Sequence, residues 1–387
     1  RSRTASAATG GRGRVGGIVA AMESSAAGGG EATVAGQADQ ASSVERPAPR
    51  ARPAWLRGLR VVAPALWVGA TVWFVAFEGL PLTRDWIALW ILLGLLAFSV
   101  GDLKGWLRGA IVDWLPFFAL LAGYDLLRGA ADGLIFEPFW RPQMEVDRFL
   151  FFGEVPTVWL QERLYAPGAL PWYGVVAWVV YMSHFFATPL LAGILWKVDR
   201  RRFRQFAVGV GALAMLGFAT YALFPAAPPW MAAQHGLIGP TARVIPEIWG
   251  QLGIPARFGL VGTGYEYAND VAAVPSLHAA YSLLIALTLW EMLPPASSTG
   301  DGDAGRRRGA RDATRGVARA LLVAYPLVMA FALVWGGEHY VSDVLLGWLY
   351  AAVVFWGVRR AFARWDARRA QRRVRDAASE PFSPANP

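Results

Sequence analysis

Two short stretches of this chain carry residue types suited to nucleophilic attack and proton transfer: Val274-Pro275-Ser276-Leu277-His278-Ala279-Ala280-Tyr281-Ser282 and Gly337-Glu338-His339-Tyr340-Val341-Ser342-Asp343-Val344-Leu345-Leu346-Gly347. His339 and Asp343 are four apart, which puts them on one helical face if a helix starts that early. A carboxylate so placed fixes the tautomer of an imidazole and stabilises its cation, while a second imidazole, His278, can protonate a leaving oxygen. Pro275 suits the first turn of a helix, where no amide donor is lost, so His278 is expected to project from that opening turn. Taken singly, each histidine also reads as an ordinary interface residue near a helix end; the set of three points to chemistry. Two imidazoles and a carboxylate can ligate zinc or iron as well. Glu338 and His339 are adjacent rather than on one face, however, and no His-Glu-x-x-His helix occurs, so neither a metal nor another cofactor is expected. The chain has no cysteine, which excludes disulfides, thiolate nucleophiles and Cys-ligated metals.

The elements that must position these groups are apolar. Of 387 residues, 55% are hydrophobic and 19 are Trp, a composition far from that of an ordinary soluble domain. Segments near 60 to 78, 86 to 102, 110 to 127, 172 to 196, 205 to 224, 274 to 293, 318 to 337 and 342 to 361 are long enough, or nearly so, to cross a hydrocarbon core of ~30 Å. The fold class expected is therefore all-α: a polytopic transmembrane helix bundle of about eight spans, with loops and short interfacial helices on its outer face. The net charge of +9 lies in Arg clusters between these segments, with no aromatic-basic readout motif, so nucleic acid is not an expected partner.

Orientation follows from those clusters. Arg50, Arg52, Arg57 and Arg60, then Lys104 with Arg108, Lys197 to Arg204, Arg306 to Arg315, and the tail from Arg359 to Arg375 all fall on one side of an eight-span bundle. By the positive-inside rule that side is cytoplasmic, together with both termini. Both histidine motifs then face outward at one membrane depth. The long connections 128 to 171 and 225 to 273 also face outward, and Met144 to Leu164 is expected to lie along the interface as an amphipathic helix. Residues 1–53, rich in Ala, Gly, Ser and Arg, read as a disordered tail; 54–363 as the membrane domain; and 364–387 as a basic cytoplasmic tail. Met22 is a candidate start. The Ala-, Arg- and Gly-heavy composition fits a high-GC bacterium, hence a bacterial plasma membrane.

With these residues in view, the sequence resembles the type 2 phosphatidic acid phosphatase superfamily, whose second and third motifs are Pro-Ser-x-His and His-x-x-x-Asp. Pro275-Ser276-Leu277-His278 and Glu338-His339-Tyr340-Val341-Ser342-Asp343 look most like its inositol phosphorylceramide synthase-like branch. Asp113-Trp114-Leu115-Pro116-Phe117 and Tyr124-Asp125-Leu126-Leu127-Arg128 are similar to that branch too, over roughly 110 to 360. The resemblance implies a phosphotransferase acting on a phospholipid or polyprenyl-type phosphate. His339 would attack phosphorus to give a phosphohistidine, Asp343 would orient it, and His278 would serve as general acid and then base. Its partners would be a lipid phosphate or phospholipid donor, an alcohol or water acceptor, and membrane lipids. With water as acceptor the same set makes a lipid phosphate phosphatase.

The sequence departs from the superfamily pattern where positive charge is needed. No Lys-x6-Arg-Pro occurs, although Arg141-Pro142 is present, and Leu333 stands six positions before His339, where the superfamily has Arg. A phosphoryl transition state needs cations around its equatorial oxygens. Arg128, Arg141, Arg148, Arg243 and Arg257 are the outward-side substitutes, with Arg128 first. Ser276 and Asn269 are further candidate phosphate or headgroup contacts, the latter within Tyr265-Glu266-Tyr267-Ala268-Asn269-Asp270, which also reads as a turn. His184 reads either as a cavity-lining contact or as a packing residue and stays outside the catalytic set, and His235 reads as a surface residue. A transporter would use His184 and His278 for passage, but Gly- or Pro-broken helices in matching halves are missing. A haloperoxidase-like reading needs a basic vanadate pocket that the sequence does not offer.

Overall fold

The structure, a computed structural model, describes residues 53–81, 83–130, 137–254, 256–257, 270–293 and 303–379, so the expected N-terminal tail lies outside the described residues. The described part is α-helical: α1 (Ala54–Phe77), α2 (Arg84–Ala97), α3 (Leu103–Gly109), α4 (Leu115–Ala130), α5 (Pro142–Leu150), α6 (Pro156–Leu164), α7 (Trp172–Val198), α8 (Arg200–Leu223), α9 (Pro229–Gln234), α10 (Val244–Leu252), α11 (Leu277–Trp290), α12 (Asp303–Trp335) and α13 (Val341–Ser379). Its one strand pairing is the two-residue parallel match of Leu80–Pro81 with Ala256–Arg257.

Six stretches are long and apolar enough to cross a membrane: Trp55–Phe77, Leu103–Leu127, Trp172–Val198, Arg200–Leu223, Asp312–Trp335 and Val341–Asp376. The other two expected spans are shorter, α2 and α11 having 14 residues each. At 1.5 Å per residue that is about 21 Å, short of the ~30 Å hydrocarbon core. For α11 the shortness has a physical basis: it packs against α7, α8, α12 and α13, so protein rather than lipid surrounds its ends. The third expected span is one continuous rod in which a single π-helical turn, Ala110–Trp114, joins α3 to α4. The eighth runs on to Ser379, because Ala and Arg, which fill its last turns, are strong helix formers.

Large apolar side chains such as Val61, Leu66, Trp73, Val179, Leu327 and Val353 stand open on the outer helix faces, as a hydrocarbon solvent permits and water does not. Inside, Trp114, Leu195, Phe203 and Leu213 are almost fully buried and join α4, α7, α8, α11 and α13 into one core. Three connecting segments are stitched beside this bundle. Phe139 N–H donates to Pro225 (2.7 Å), Ala227 N–H to Phe139 (3.0 Å) and Ala226 N–H to Val271 (2.7 Å). This ties the approach to α5, the exit of α8 and the approach to α11 together.

Candidate active site

The two motifs meet where α11 and α13 begin. Ser276 caps α11, its hydroxyl accepting the Ala279 N–H at 3.3 Å, and its own N–H donates to the Asp343 carbonyl at 3.1 Å. Gly347, one turn further along α13, makes the approach possible: a Cβ there would stand 2.3 Å from the Ser276 carbonyl oxygen. Pro275 lies before the cap rather than in the first helical turn, in a cis Val274–Pro275 bond. His278 is still the second residue of the helix, so its expected place in the opening turn holds.

His339 sits in the turn between α12 and α13, two residues ahead of the helix on which the sequence placed it. Gly337 makes that turn, at φ +78°, with the Ala242 carbonyl where a Cβ would be. The N–H groups of Glu338 and His339 both donate to the Leu333 carbonyl, at 3.0 and 3.2 Å. Leu333 itself is fully buried against Met329, Ala279 and Val344, so the place where the superfamily carries Arg is core here. His339 Nδ1 lies 3.5 Å from Asp343 Oδ2, and that oxygen also accepts the Tyr340 N–H at 2.9 Å. Asp343 is fully buried and His339 nearly so. With Nδ1 turned to the carboxylate, Nε2 lies on the other edge of the ring. Burial first, and then the Asp343 and Asp147 charges, push the Tyr340 phenol well above its ordinary range, so it stays protonated.

The His278 ring centroid is 6.1 Å from that of His339. On its other side α7 supplies Tyr181, stacked at 4.7 Å, and His184 at 3.9 Å. Three of the four histidines in the chain are thus neighbours. His184, left outside the catalytic set by sequence reasoning, is brought to its edge; the signal was the i, i+3 spacing of Tyr181 and His184 on an uncharged helix. His235 is exposed, its ring against Trp140.

The stretch expected as one amphipathic helix, Met144 to Leu164, is instead two helices, α5 and α6, broken where Phe152 and Gly153 take positive φ. The break turns α5 onto the site. Its Asp147, fully buried, accepts the N–H groups of Val341 and Ser342 at 2.9 and 2.8 Å and so caps α13 from another element. Burial raises the Asp147 carboxyl above its ordinary value, and those backbone bonds oppose the rise. Buried Gln143 anchors α5 by donating to the Phe139 and Ala227 carbonyls.

The candidate cations are dispersed. Arg128 closes α4 with its side chain outside the described residues, as is all of Asn269. Arg141 is exposed at the start of α5. Arg148 pairs with Glu145 at 3.0 Å and reaches the Leu237 carbonyl at 3.4 Å. The Ser276 hydroxyl, fully buried, serves the α11 cap. Arg243 alone among these described side chains is paired into the turn that carries His339: its Nε and Nη2 donate to the two Glu338 oxygens at 2.9 and 3.3 Å, and its guanidinium lies 4.7 Å from the Trp230 ring centroid. Burial disfavours its charge, but the Glu338 pairing outweighs burial and holds its proton more firmly than usual.

The family resemblance is borne out by comparison with known proteins. Residues 144–299 match the model of the PAP2 superfamily, a segment running from α5 beyond α11 and including His278. Within that class the likeness is to inositol phosphorylceramide synthases. The chain is 30% identical over 212 residues to the phosphoinositol dihydroceramide synthase of Bacteroides thetaiotaomicron, covering 49% of this chain and 60% of that one. It is 30% identical over 132 residues to the inositol phosphorylceramide synthase of Candida albicans, covering 31% and 26%. The chain thus spans less than two thirds of the length of either relative. No solved structure matches it.

Proposed function

We propose that this protein is a membrane-embedded phosphotransferase that moves the phosphate-bearing headgroup of a lipid to an alcohol through a phosphohistidine, with its site at the extracytoplasmic surface. The observation that carries the reading is the pairing of His339 Nδ1 with the buried Asp343 at 3.5 Å while His278 faces the same space, its ring 6.1 Å away. With the ring centroids 6.1 Å apart, a phosphoryl group lying beside the pair is within reach of both: one nitrogen at a near-attack contact of about 3–3.5 Å from phosphorus, the other at a hydrogen bond of about 2.6–3.2 Å from the leaving oxygen. His339 Nε2 forms the N–P bond as the P–O bond to the leaving alcohol breaks, and His278 delivers the proton to that oxygen. Asp343 balances the charge that develops on His339. In the second half His278 takes the proton of the acceptor hydroxyl, which attacks phosphorus and releases His339.

Two features favour an alcohol over water as acceptor. Leu333 stands where the phosphatase pattern has Arg, and both relatives are named as synthases. The test uses the full chain in detergent with a phospholipid labelled at phosphorus. An acid-labile, base-stable labelled enzyme is expected in the wild type and absent from His339→Ala; label retained in His339→Ala excludes the reading. Release of inorganic phosphate without an alcohol acceptor would instead make the protein a lipid phosphate phosphatase.

A further inference from the structure

The proposed reaction places a negatively charged phosphoryl group between two histidines, and the superfamily's arginine beside the third motif is absent. Positive charge has to come from elsewhere in the fold. The segment before α10 is fastened to the catalytic turn along its length. Val244 N–H donates to the Gly336 carbonyl at 3.1 Å, and Trp230 N–H to the Gly337 carbonyl at 3.0 Å. Buried Gln161 of α6 completes the fastening: its Oε1 accepts the Ala242 N–H at 2.7 Å, while its Nε2 donates to the carbonyls of Ala242 and Trp335 at 2.9 and 2.7 Å. Between these anchors stands Arg243.

We infer that Arg243 is the phosphate-binding arginine of this site, its guanidinium reading two oxygens of a phosphate ester while Glu338 holds it in place. The inference rests on the proposed function and adds to it the residue that supplies the missing charge. A guanidinium carries five N–H donors in a planar fork. Glu338 engages the edge made by Nε and Nη2, which leaves the Nη1 edge for a second acceptor. The exposures agree with that division of labour: 42% of the Arg243 side chain is open against 10% of Glu338. Glu338 adjoins His339 in the chain, and Arg243 lies within electrostatic range of Tyr181, the ring stacked on His278. Arg243 is thus bracketed by neighbours of both catalytic histidines. Trp230 beneath the guanidinium limits its swing and adds a cation–π contact. Bidentate recognition of phosphate is what this side chain does better than Lys.

The test is equilibrium binding of inorganic phosphate to the full chain in detergent, by calorimetry, for the wild type, His339→Ala, Arg243→Gln and Arg243→Lys, with thermal midpoints measured alongside. Losing a charge-assisted contact to the anion is expected to weaken phosphate binding about 10- to 100-fold in Arg243→Gln. Arg243→Lys should keep the pair with Glu338 and the midpoint but lose the fork, and so fall between. His339→Ala should bind phosphate within a few-fold of wild type while turning nothing over. If Arg243 is only a strut for the turn, Arg243→Gln lowers the midpoint and leaves phosphate affinity unchanged; that result, or no saturable binding by the wild type, overturns the inference. Turnover that requires His339 with phosphate binding indifferent to Arg243 removes this assignment alone. Phosphate binding that requires Arg243, with no turnover of any lipid phosphate, removes the proposed reaction and leaves the anion site.

Discussion

The two ends of the bundle handle charge differently. Where the motifs meet, carboxylates are taken out of contact with solvent and met by backbone: Asp147 accepts the Val341 and Ser342 amides, while Asp343 Oδ2 accepts the Tyr340 amide with His339 Nδ1 3.5 Å away and Asp343 Oδ1 has no hydrogen-bond partner among the described residues. At the opposite end, acids meet partly open arginines across helices, with Asp113 nearly closed off and Asp366 and Glu291 more open. Asp113, in the π-helical turn, takes Arg200 at 2.5 Å and Arg204 at 3.4 Å, Arg201 pairs with Asp366, and Arg359 with Glu291. The first arrangement fixes geometry at a cost in desolvation that the amides offset. In the second, an open pair such as Arg201 with Asp366 costs little and contributes little, because water screens it. Precision is concentrated where chemistry is proposed, and the basic end is the one that the positive-inside rule would set at the cytoplasm.

That contrast can be broken or sharpened by substitution. The largest effect is expected at the histidines: His339→Ala should lower turnover by at least about 10⁴-fold and His278→Ala by about 10²- to 10⁴-fold, read as initial rates with labelled lipid. Activity within ten-fold of wild type in either would dissolve the distinction between the ends. Next comes Asp147→Ala, which strands two part-buried amides at up to roughly 1–3 kcal/mol each; its thermal midpoint and turnover should both fall, with Asp147→Asn between it and wild type. Gly347→Ala forces a methyl onto the Ser276 carbonyl, and overpacking of this kind costs about 1–3 kcal/mol. Its turnover should drop while lipid affinity changes little, because the motifs are spread rather than removed. The smallest effect belongs to the basic end: Arg201→Ala is expected to cost at most about 1 kcal/mol and to leave turnover unchanged. A midpoint loss there equal to that of Asp147→Ala would show the two ends to be alike.

Much of this arrangement is legible in the sequence, and what is not has a common cause. His278, His339 and Asp343 announce themselves through short spacings, and apolar runs of about 20 residues mark six helices, because bilayer thickness is a constraint that each segment meets alone. The shortness of α2 and α11 is harder to read, since flanking Ser, Gly and Pro extend an apolar run without extending its helix. The break at Phe152–Gly153 escapes because apolar residues continue through it, so composition hides the turn that aims Asp147 at the site. The remaining gaps are long-range: Asp147 meets Val341, Arg243 meets Glu338, and His184 meets His278. Each depends on how helices are rotated against one another, and periodicity within a single helix does not contain that information.

The start of α13 carries one more consequence. A helix beginning with free N–H groups attracts oxyanions, yet here the donors of Tyr340, Val341 and Ser342 are all held by side-chain carboxylates of the protein itself. Asp343 and Asp147 are resident acceptors that never leave, so these helix donors are engaged before any phosphate would arrive. In the proposed reaction a phosphate would find these donors at the start of α13 already taken. It would then be held by side chains that can let go, which favours departure of the product over its retention.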